Sequence, residues 1–400
     1  MLDDLLVLEL ASVLAGPSVG QFFAELGATV LKIENPRTEG DVTRQWTAPT
    51  ADNAPQDTDR SAYFCCCNAG KQSISIDLSQ DAGRELLHDL ARDADVVLAS
   101  YRPGTGEALG ADYDTLSDVN PNLIYGHVTG YGPERRRAGY DAVIQAESGF
   151  MHMNGPADGP PTKLPVALMD VLAAHQLKEG ILVALLDQER GGGEAEEGRY
   201  VPVSLFQAAV SGLVNQATNW LVAGHSPQRM GSEHPNIAPY GIPYETADGP
   251  PIVLAVGTDR QFENLCNVLQ LPDLAGNPNF ATNARRVEHR EALNRVLETR
   301  FSHFGTDEVL DALHEHNVPA GVVRDVPAVF EQPTAQKMIL NTDEEAVSLR
   351  QTAFPHPSGQ RSALSPPPHY AQHTEAILRG HLGRSPEQIE RLADDEVIVR

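Results

Sequence analysis

The sequence is short of positive charge, and of lysine in particular. Among its 400 residues, 30 are Lys or Arg and 55 are Asp or Glu, so its formal net charge is -25 at pH 7. A chain this acidic repels nucleic acid and anionic membrane surfaces, and we expect it to bind neither. Such an acidic, lysine-poor composition is typical of a surface adapted to high salt. The lysines are Lys32, Lys71, Lys163, Lys178 and Lys337.

Long apolar runs are also missing. The stretch at 181–186 is among the longest, whereas a membrane-spanning helix needs roughly 20 apolar residues. The first residues, MLDDLLVLEL, carry acids where a secretory signal has basic residues. We therefore expect a cytoplasmic protein. Its length exceeds what one hydrophobic core usually serves, which predicts two globular parts.

Cysteine is scarce and unfavourably spaced for a metal site. Three of the four cysteines are consecutive, at Cys65, Cys66 and Cys67. Neighbouring positions on an extended segment cannot all face one metal ion, nor do they pair readily with each other. We expect reduced thiols and no bound metal.

Common nucleotide and hydrolase motifs are absent. The first predicted loop reads AGPSVG in place of GxGxxG, and Pro17 removes a backbone amide that a pyrophosphate would need, although Glu34 suits a ribose hydroxyl. No phosphate-loop pattern precedes Lys71, and no GxSxG motif surrounds Ser148. HEHN at His314 lacks the second-turn histidine of a zinc protease. Dehydrogenase, kinase, serine hydrolase and zinc protease functions are thus disfavoured.

Strand and helix patterns alternate along the first half of the chain. LLVLEL, ATVLKIE, SISIDL, ADVVLAS, NLIYGHVTGYG and RYVPVSL are typical of strands, with helical spacing between several of them. This alternation predicts an α/β fold with a parallel sheet. A linker rich in Pro, Gly and His precedes a second, smaller α/β region that begins at PIVLAVG. We predict a large domain over 1–224, a linker and small domain over 225–332, and a segment over 333–400 that returns to the large domain.

One carboxylate, Asp170 in PVALMDVLAAHQLKEG, lies where an apolar segment meets a predicted helix. An acid in the first turn of a helix often stabilises that helix, by about 1 kcal/mol. The residue alone leaves both a structural and a catalytic role open.

The ordered blocks of the chain resemble family III of the CoA-transferases, also called the CaiB/BaiF family. The resemblance implies that Asp170 is the catalytic nucleophile, that CoA is bound as a substrate thioester and that no cofactor is held permanently. The blocks are VLELASVLAGPSVGQFFAELGATVLKIENP, GDVTRQW, SAYFCCCNAGKQSISIDL, ADVVLASYRPGTGEALG, NPNLIYGHVTGYGP, AGYDAVIQAESGFM, PVALMDVLAAHQLKEGILVALLDQERGG, GSEHPNIAPYGIPYETADG, VPAGVV and PPPHYAQHTEAILRGHLG.

The resemblance also implies CoA contacts in three segments: the first loop, the turn written GKQS here and the segment written SYR here. Some family members have glutamine at the Leu14 position, so this chain lacks one polar contact to the acyl group. Arg102 and Arg137 suit CoA phosphates because a guanidinium binds phosphate through two hydrogen bonds, but either can instead be a solvated surface charge. The implied CoA-binding residues are Val13, Leu14, Ala15, Lys71, Gln72, Ser100, Tyr101, Arg102 and Arg137.

Four further residues are implied near the nucleophile. Asp141 aligns with an acid that orients groups or raises the pKa of the nucleophile, and a structural hydrogen bond is the alternative. Trp46 aligns with an aromatic side chain bordering the acyl pocket, and a core position is the alternative. His234 lies where some relatives carry a glycine-rich loop over the site. Tyr140 immediately precedes Asp141.

A racemase of 2-methylacyl-CoA esters is the rival function on the same fold. Such enzymes place a histidine in a GHD motif, where this chain has Tyr140 in AGYDAV. A tyrosine with a pKa of about 10 is a poor base at neutral pH, which favours transfer over racemisation. A CoA-binding protein without turnover is a more distant rival, and the retained Asp170 disfavours it.

The resemblance finally implies an interlocked homodimer in which each chain has a Rossmann-like large domain and a smaller α/β domain. The expected substrates are an acyl-CoA and a carboxylic acid, with small dicarboxylates such as succinate or mesaconate as candidates.

Overall fold

The structure is a computed structural model. It describes residues 2–48, 59–191, 199–341, 346–355 and 364–400. The stretch GGGEAEEGR is typical of an exposed turn, and its residues 192–198 lie outside the described residues.

The strands are, in chain order, β1 (Leu6–Leu10), β2 (Thr29–Glu34), β3 (Gln72–Ser75), β4 (Val96–Ala99), β5 (Ile124–Thr129), β6 (Arg199–Ser204), β7 (Tyr240–Tyr244), β8 (Ile252–Ala255), β9 (Ala320–Val322), β10 (Ile339–Asn341) and β11 (Ala346–Leu349). The helices are α1 (Ala15–Glu25), α2 (Ala62–Cys65), α3 (Asp81–Ala91), α4 (Thr105–Ala108), α5 (Tyr113–Val119), α6 (Asp141–Glu147), α7 (Phe150–Met153), α8 (Leu168–Glu189), α9 (Leu205–Gly212), α10 (Val214–Ala223), α11 (Asp259–Val268), α12 (Pro272–Ala275), α13 (Asn283–Glu288), α14 (Arg290–Phe301), α15 (Thr306–Glu315), α16 (Val326–Phe330), α17 (Pro333–Gln336), α18 (Thr374–Gly380) and α19 (Pro386–Asp394).

The chain divides into two compact units. The first contains residues 1–148, 165–213 and 337–400, and the second contains residues 149–164 and 214–336. This division differs from the predicted boundaries in three places, since 149–164, α10 and α17 fall in the second unit. Segment 149–164 belongs there because Arg229 donates hydrogen bonds to the carbonyl oxygens of Gly159 and His152.

The first unit is built on a six-stranded sheet in the order β3-β2-β1-β4-β5-β6. Every neighbouring pair is parallel, which confirms the α/β prediction. The central strands are buried on both faces, so their sequences are nearly continuous apolar runs. On one face α3, α18 and α19 pack against the sheet through a shared apolar cluster that includes Leu86, Ile377 and Ile389.

The order of the strands reverses beside β1, which pairs with β2 on one side and β4 on the other. In an open parallel sheet, the crevice at the carboxyl ends of the strands beside this switch is where ligands bind. The loop from β1 to α1 leaves the sheet at this point. The fold therefore directs attention to the loop 11–14 and its neighbours.

The second unit has its own sheet and core. Strands β7, β8 and β9 form an antiparallel sheet, and α11, α14 and α15 cover it with apolar side chains such as Phe262, Leu297 and Leu313. Within the described part of the chain, none of the helices is both long and apolar enough to span a membrane.

Candidate active site

Asp170 lies in the first turn of α8, two residues after the helix begins at Leu168. The N-cap position belongs to Ala167, whose side chain makes no capping bond. The Asp170 carboxylate instead accepts a hydrogen bond from the backbone N–H of Ala15, the first residue of α1. The amino ends of two helices therefore meet at this carboxylate, and both helix dipoles favour negative charge there.

The pKa of Asp170 is far from its ordinary value. Burial and then the negative charge of Asp141 raise it from 3.8 to about 7, while the hydrogen bond from Ala15 opposes both. A carboxylate that has lost much of its water is a stronger nucleophile than one in solution. Perturbed carboxyls of this kind in a cleft are candidates for chemistry.

Asp141 connects the amino ends of α6 and α8. Its Oδ1 accepts a hydrogen bond of 2.9 Å from the backbone N–H of Met169, and its Oδ2 accepts one of 2.8 Å from Gln145 Nε2. The sequence left a structural and an electrostatic role open, and the geometry supports both. Tyr140 occupies the N-cap position of α6, and its side chain is 59% exposed.

A cavity of about 160 Å³ opens beside Asp170, at the carboxyl ends of β1, β4 and β5. It brings together most residues that the sequence assigned to CoA or to the nucleophile. Its lining includes Val13, Ala15, Ser100, Tyr101, Arg102, Arg137, Tyr140 and Asp170.

A second cavity of about 370 Å³ lies at the carboxyl ends of β1 and β2, and Ser12 and Tyr101 line both cavities. Arg37 and Asp77 also line the larger one, and their side chains form an ion pair of 2.9 Å. Two adjoining cavities suit an elongated ligand with one end at Asp170.

Two glycines shape the wall that carries Tyr140. A methyl group on Gly130 would lie 2.6 Å from the Cα of Gly139, so the backbones touch where a side chain has no room. This close approach holds the segment before α6 against the end of β5. The AGYD sequence is thereby placed at the cavity.

The arginines of the smaller cavity differ in their partners. Arg137 is exposed, forms an ion pair with Glu147 and lies 4.6 Å from the centre of the Tyr131 ring. Arg135 also lines the cavity and was not among the predicted site residues. The arginine-rich GPERRRAGYD segment beside the predicted acid is the signal that could have identified it. Arg102 lines the same cavity and is exposed.

Other predicted site residues lie elsewhere. Lys71 is buried, and its ammonium bonds Glu9, the carbonyl oxygen of Pro17 and Asn68 Oδ1. Neither Lys71 nor Gln72, the first residue of β3, lines either of the two cavities. Leu14 is the N-cap residue of α1 and does not line them either. Their contacts with CoA stay predictions.

Trp46 and Tyr63 form an aromatic pair near the carboxylates. Their ring centres are 5.0 Å apart in an edge-to-face arrangement. Burial and then the negative charge of Asp170 raise the pKa of Tyr63 to about 12. Tyr63 was missed by sequence reasoning, although it stands in the SAYFCCC block.

His234 belongs to the second unit. Its Nδ1 accepts a hydrogen bond of 3.1 Å from the backbone N–H of Asn236, and its ring lies 4.9 Å from that of Tyr240. Burial and then the charge of Arg290 lower the pKa of His234. A catalytic role for it stays a prediction.

Comparisons with known proteins give a consistent answer. The sequence profile of CoA-transferase family III matches residues 2–374. The chain is 38% identical to a succinate–glutarate CoA-transferase of Agrobacterium fabrum, covering 86% of this chain and 85% of that protein. It is 35% identical to a succinyl-CoA:mesaconate CoA-transferase of Haloarcula hispanica, covering 86% of this chain and 85% of that protein.

A solved structure agrees with the sequence comparisons. The crystal structure of a CaiB/BaiF family protein from Brucella suis superposes with a TM-score of 0.81 at 38% identity, covering 95% of this chain and 99% of that one. The family predicted from the ordered sequence blocks is confirmed. The chain belongs to CoA-transferase family III.

Proposed function

We propose that this enzyme transfers CoA from succinyl-CoA to a second small dicarboxylate, with Asp170 as the covalent nucleophile. The observation that carries the proposal is the partly desolvated Asp170 carboxylate, which faces a cavity at the switch point of the sheet. The named relatives from Agrobacterium fabrum and Haloarcula hispanica act on succinate with glutarate and on succinyl-CoA with mesaconate. These names support four- and five-carbon dicarboxylates as the substrate class.

The reaction proceeds through two anhydrides and one thioester. Asp170 attacks the acyl carbonyl of the donor, the C–S bond breaks, and a mixed anhydride and CoA thiolate form. The thiolate attacks the Asp170 carbonyl and releases the donor acid, which leaves an aspartyl-CoA thioester. The acceptor carboxylate attacks this thioester and expels the thiolate, which then takes the new acyl group. Asp170 is regenerated, and no ATP is consumed.

The residues of the site supply three kinds of support in this proposal. The Ala15 N–H stabilises the oxyanion that forms on Asp170 when the thiolate attacks. Asp141 raises the pKa of the nucleophile and anchors the start of α8. Arg102, Arg135 and Arg137 bind CoA phosphates. Val13, Ser100 and Tyr101 contact the rest of CoA, and Trp46 with Tyr63 borders the acyl group.

An acceptor screen tests the substrate class. We expect succinyl-CoA to yield acyl-CoA products with glutarate and mesaconate, and far less product with acetate or butyrate, when products are identified by mass spectrometry. Transfer to monocarboxylates alone would contradict the dicarboxylate assignment. Deuterium uptake at the α-carbon of a 2-methylacyl-CoA, with no acceptor present, would instead support the racemase.

The pH dependence of transfer tests the role of Asp141. The attacking carboxylate must be ionised, so kcat/KM should rise with pH through about 7, where Asp170 titrates, and level off above it. Asp141→Asn removes a neighbouring negative charge, which lowers the pKa of Asp170 and moves this rise to lower pH by roughly one unit.

The control variant is Asp141→Glu, which keeps the charge and should leave the rise near pH 7. If Asp141→Asn left the rise where it is in the unaltered enzyme, the electrostatic role would be wrong. The amide oxygen of asparagine can still accept the Met169 N–H, so this variant tests charge more than structure.

We also propose that the enzyme is an interlocked homodimer of the cytoplasm, as the family resemblance implies. Exposed apolar side chains support burial against a second copy. Val183 on α8 is 65% exposed, and on α10 Leu221 is 76% and Val222 is 84% exposed. A Rossmann-like large domain with a smaller α/β domain stays the proposed domain description.

A further inference from the structure

The loop between β1 and α1 holds a strained residue two positions before Ala15. Val13 has a φ of 72°, a conformation in which the branched side chain crowds its own backbone. A non-glycine residue in this region is strained and persists only where its surroundings enforce the conformation. Val13, Ala15 and Asp170 line the same cavity, and the Ala15 N–H favours the ionised form of Asp170. Whatever holds Val13 therefore also helps to set the direction of that N–H.

Asp41 holds the backbone of Val13 directly. The Val13 N–H donates to both carboxylate oxygens of Asp41, at 3.4 Å to Oδ1 and 3.3 Å to Oδ2. Asp41 is 5% exposed, so water does not compete for this contact. Burial opposes ionisation of Asp41, but Lys32 and hydrogen bonds from Thr43 outweigh it and hold the pKa of Asp41 below its ordinary value.

Lys32 fixes Asp41 in turn. Its Nζ lies 2.9 Å from Asp41 Oδ2 and donates a bond of 3.0 Å to the carbonyl oxygen of Ala11. Lys71 donates to the carbonyl oxygen of Pro17 at 2.9 Å. Buried ions therefore bind the backbone at Ala11 and Val13 in the loop and at Pro17 in the first turn of α1. These contacts lie on both sides of Ala15.

A capping role accounts for only part of the contacts of Asp41. Its Oδ1 accepts bonds from the Thr43 N–H and the Thr43 hydroxyl, at 3.0 Å and 2.8 Å, at the start of the short 3-10 turn Val42–Gln45. Oδ2 has no part in this cap and faces Lys32 and the Val13 N–H. Oδ1 thus serves the local turn and shares the Val13 N–H, whereas Oδ2 serves only the loop and Lys32.

We infer that Asp41, held by Lys32, is a positioning residue for CoA transfer: it fixes the backbone of Val13 so that the Ala15 N–H points at Asp170. This inference rests on the proposed function. The oxyanion formed by thiolate attack on the Asp170 carbonyl gains the Ala15 hydrogen bond only if the loop keeps this conformation. Loss of one such donor costs about 10²–10³ in kcat.

Asp41→Asn tests the inference. Asparagine is uncharged, so it weakens the contact with Lys32 in either orientation of its amide. When its amino group takes the Oδ2 position, it also loses the contact of that atom with the Val13 N–H. We expect kcat for transfer to fall roughly 10- to 100-fold, with KM for succinyl-CoA within about threefold, because the effect is on a transition state.

A second readout separates positioning from general instability. When attack at the Asp170 carbonyl slows, the mixed anhydride persists, and water can attack it to give two free acids after CoA has left. The ratio of succinyl-CoA hydrolysis to transfer should therefore rise by roughly tenfold. Partial unfolding would lower both rates equally and leave the ratio unchanged.

The matched control is Asp95→Asn. Asp95 Oδ2 accepts the Leu6 N–H at 2.7 Å, at the opposite end of β1, so this variant alters a similar contact far from the loop and should keep the wild-type ratio. If Asp41→Asn does not fold, Asp41→Glu takes its place in the test. This variant keeps the charge but displaces the carboxylate, so its ratio of hydrolysis to transfer should rise.

Two outcomes are distinguishable. The inference would be overturned if Asp41→Asn kept the wild-type kcat and the wild-type ratio of hydrolysis to transfer. Where Asp41→Glu is needed instead, a wild-type ratio in that variant would overturn it. The proposed function would stay intact in either case. Full transfer by an Asp170→Ala variant would overturn the proposed function itself.

Discussion

Replacing Asp170 with alanine is expected to reduce CoA transfer by about a thousandfold or more. The proposed route forms three successive covalent species on this carboxylate, and no described neighbour offers a second nucleophile with the Ala15 hydrogen bond. Loss of a covalent nucleophile has effects of this size or larger. The measurement is the initial rate from succinyl-CoA to glutarate or mesaconate.

The variant should remain folded, which makes the loss of activity interpretable. The pKa of Asp170 is raised from 3.8 to about 7 in the folded protein, so the fold favours its protonated form. The stability that this group contributes therefore falls as pH rises from about 4 to 7. Above pH 7 the removal of its charge should leave the unfolding temperature equal to or higher than that of the unaltered enzyme.

An isotope experiment tests covalency independently of the variant. If the acceptor carboxylate carries ¹⁸O, its oxygen becomes the bridging atom of the second anhydride, and thiolate attack on the acyl carbonyl leaves that oxygen on Asp170. The peptide containing Asp170 should gain ¹⁸O during turnover, and the peptide containing Asp141 is the internal control. Turnover without label on Asp170 would rule out the aspartyl route.

The sequence predicted the family, the parallel sheet and the position of Asp170 at the start of a helix. Each of these rests on local order, because strand and helix periodicity and the blocks around Asp170 are contiguous in the chain. The cavity that gathers Val13, Ser100 and Tyr101 follows from this order, since parallel strands end at the same edge of a sheet.

Contacts between residues that are distant in the sequence could not be predicted from periodicity or from contiguous blocks. The bond from Ala15 to Asp170 and the contact of Asp41 with Val13 join segments whose spacing carries no pattern. The positive φ of Val13 was also unpredictable, because valine is a residue type that disfavours it. The burial of Lys71, which was expected at the CoA site, was unpredictable for the same reason. Its anionic partner Glu9 is 62 residues away in the sequence.

Glu9 gives the second large expected effect, on stability. This carboxylate is fully buried on β1 between two ammonium groups, with its oxygens 2.9 Å from Lys32 Nζ and 2.7 Å from Lys71 Nζ. Together with Asp41 the four charges sum to zero. Glu9→Gln keeps the shape of the side chain but leaves a net positive charge in the core. Breaking one member out of a buried ion cluster costs about 3–5 kcal/mol in the free energy of unfolding.

Urea unfolding at pH 7 measures this effect, with Glu375→Gln as the control. Glu375 forms an exposed pair with Arg379 on α18, and loss of such a pair should change stability by less than about 1 kcal/mol. A Glu9→Gln variant as stable as this control would contradict the role of Glu9 as the central counter-charge of the core.

The pH dependence of the loss identifies its electrostatic origin. Burial lowers the pKa of Lys71 below 10.5 even in the unaltered protein, where Glu9 opposes that shift. Without Glu9 the pKa of Lys71 falls further, so the folded variant binds fewer protons than the unfolded chain. Its stability must then rise with pH. The loss in free energy of unfolding relative to the unaltered enzyme should therefore shrink between pH 7 and about 9. A packing defect would give the same loss at both pH values.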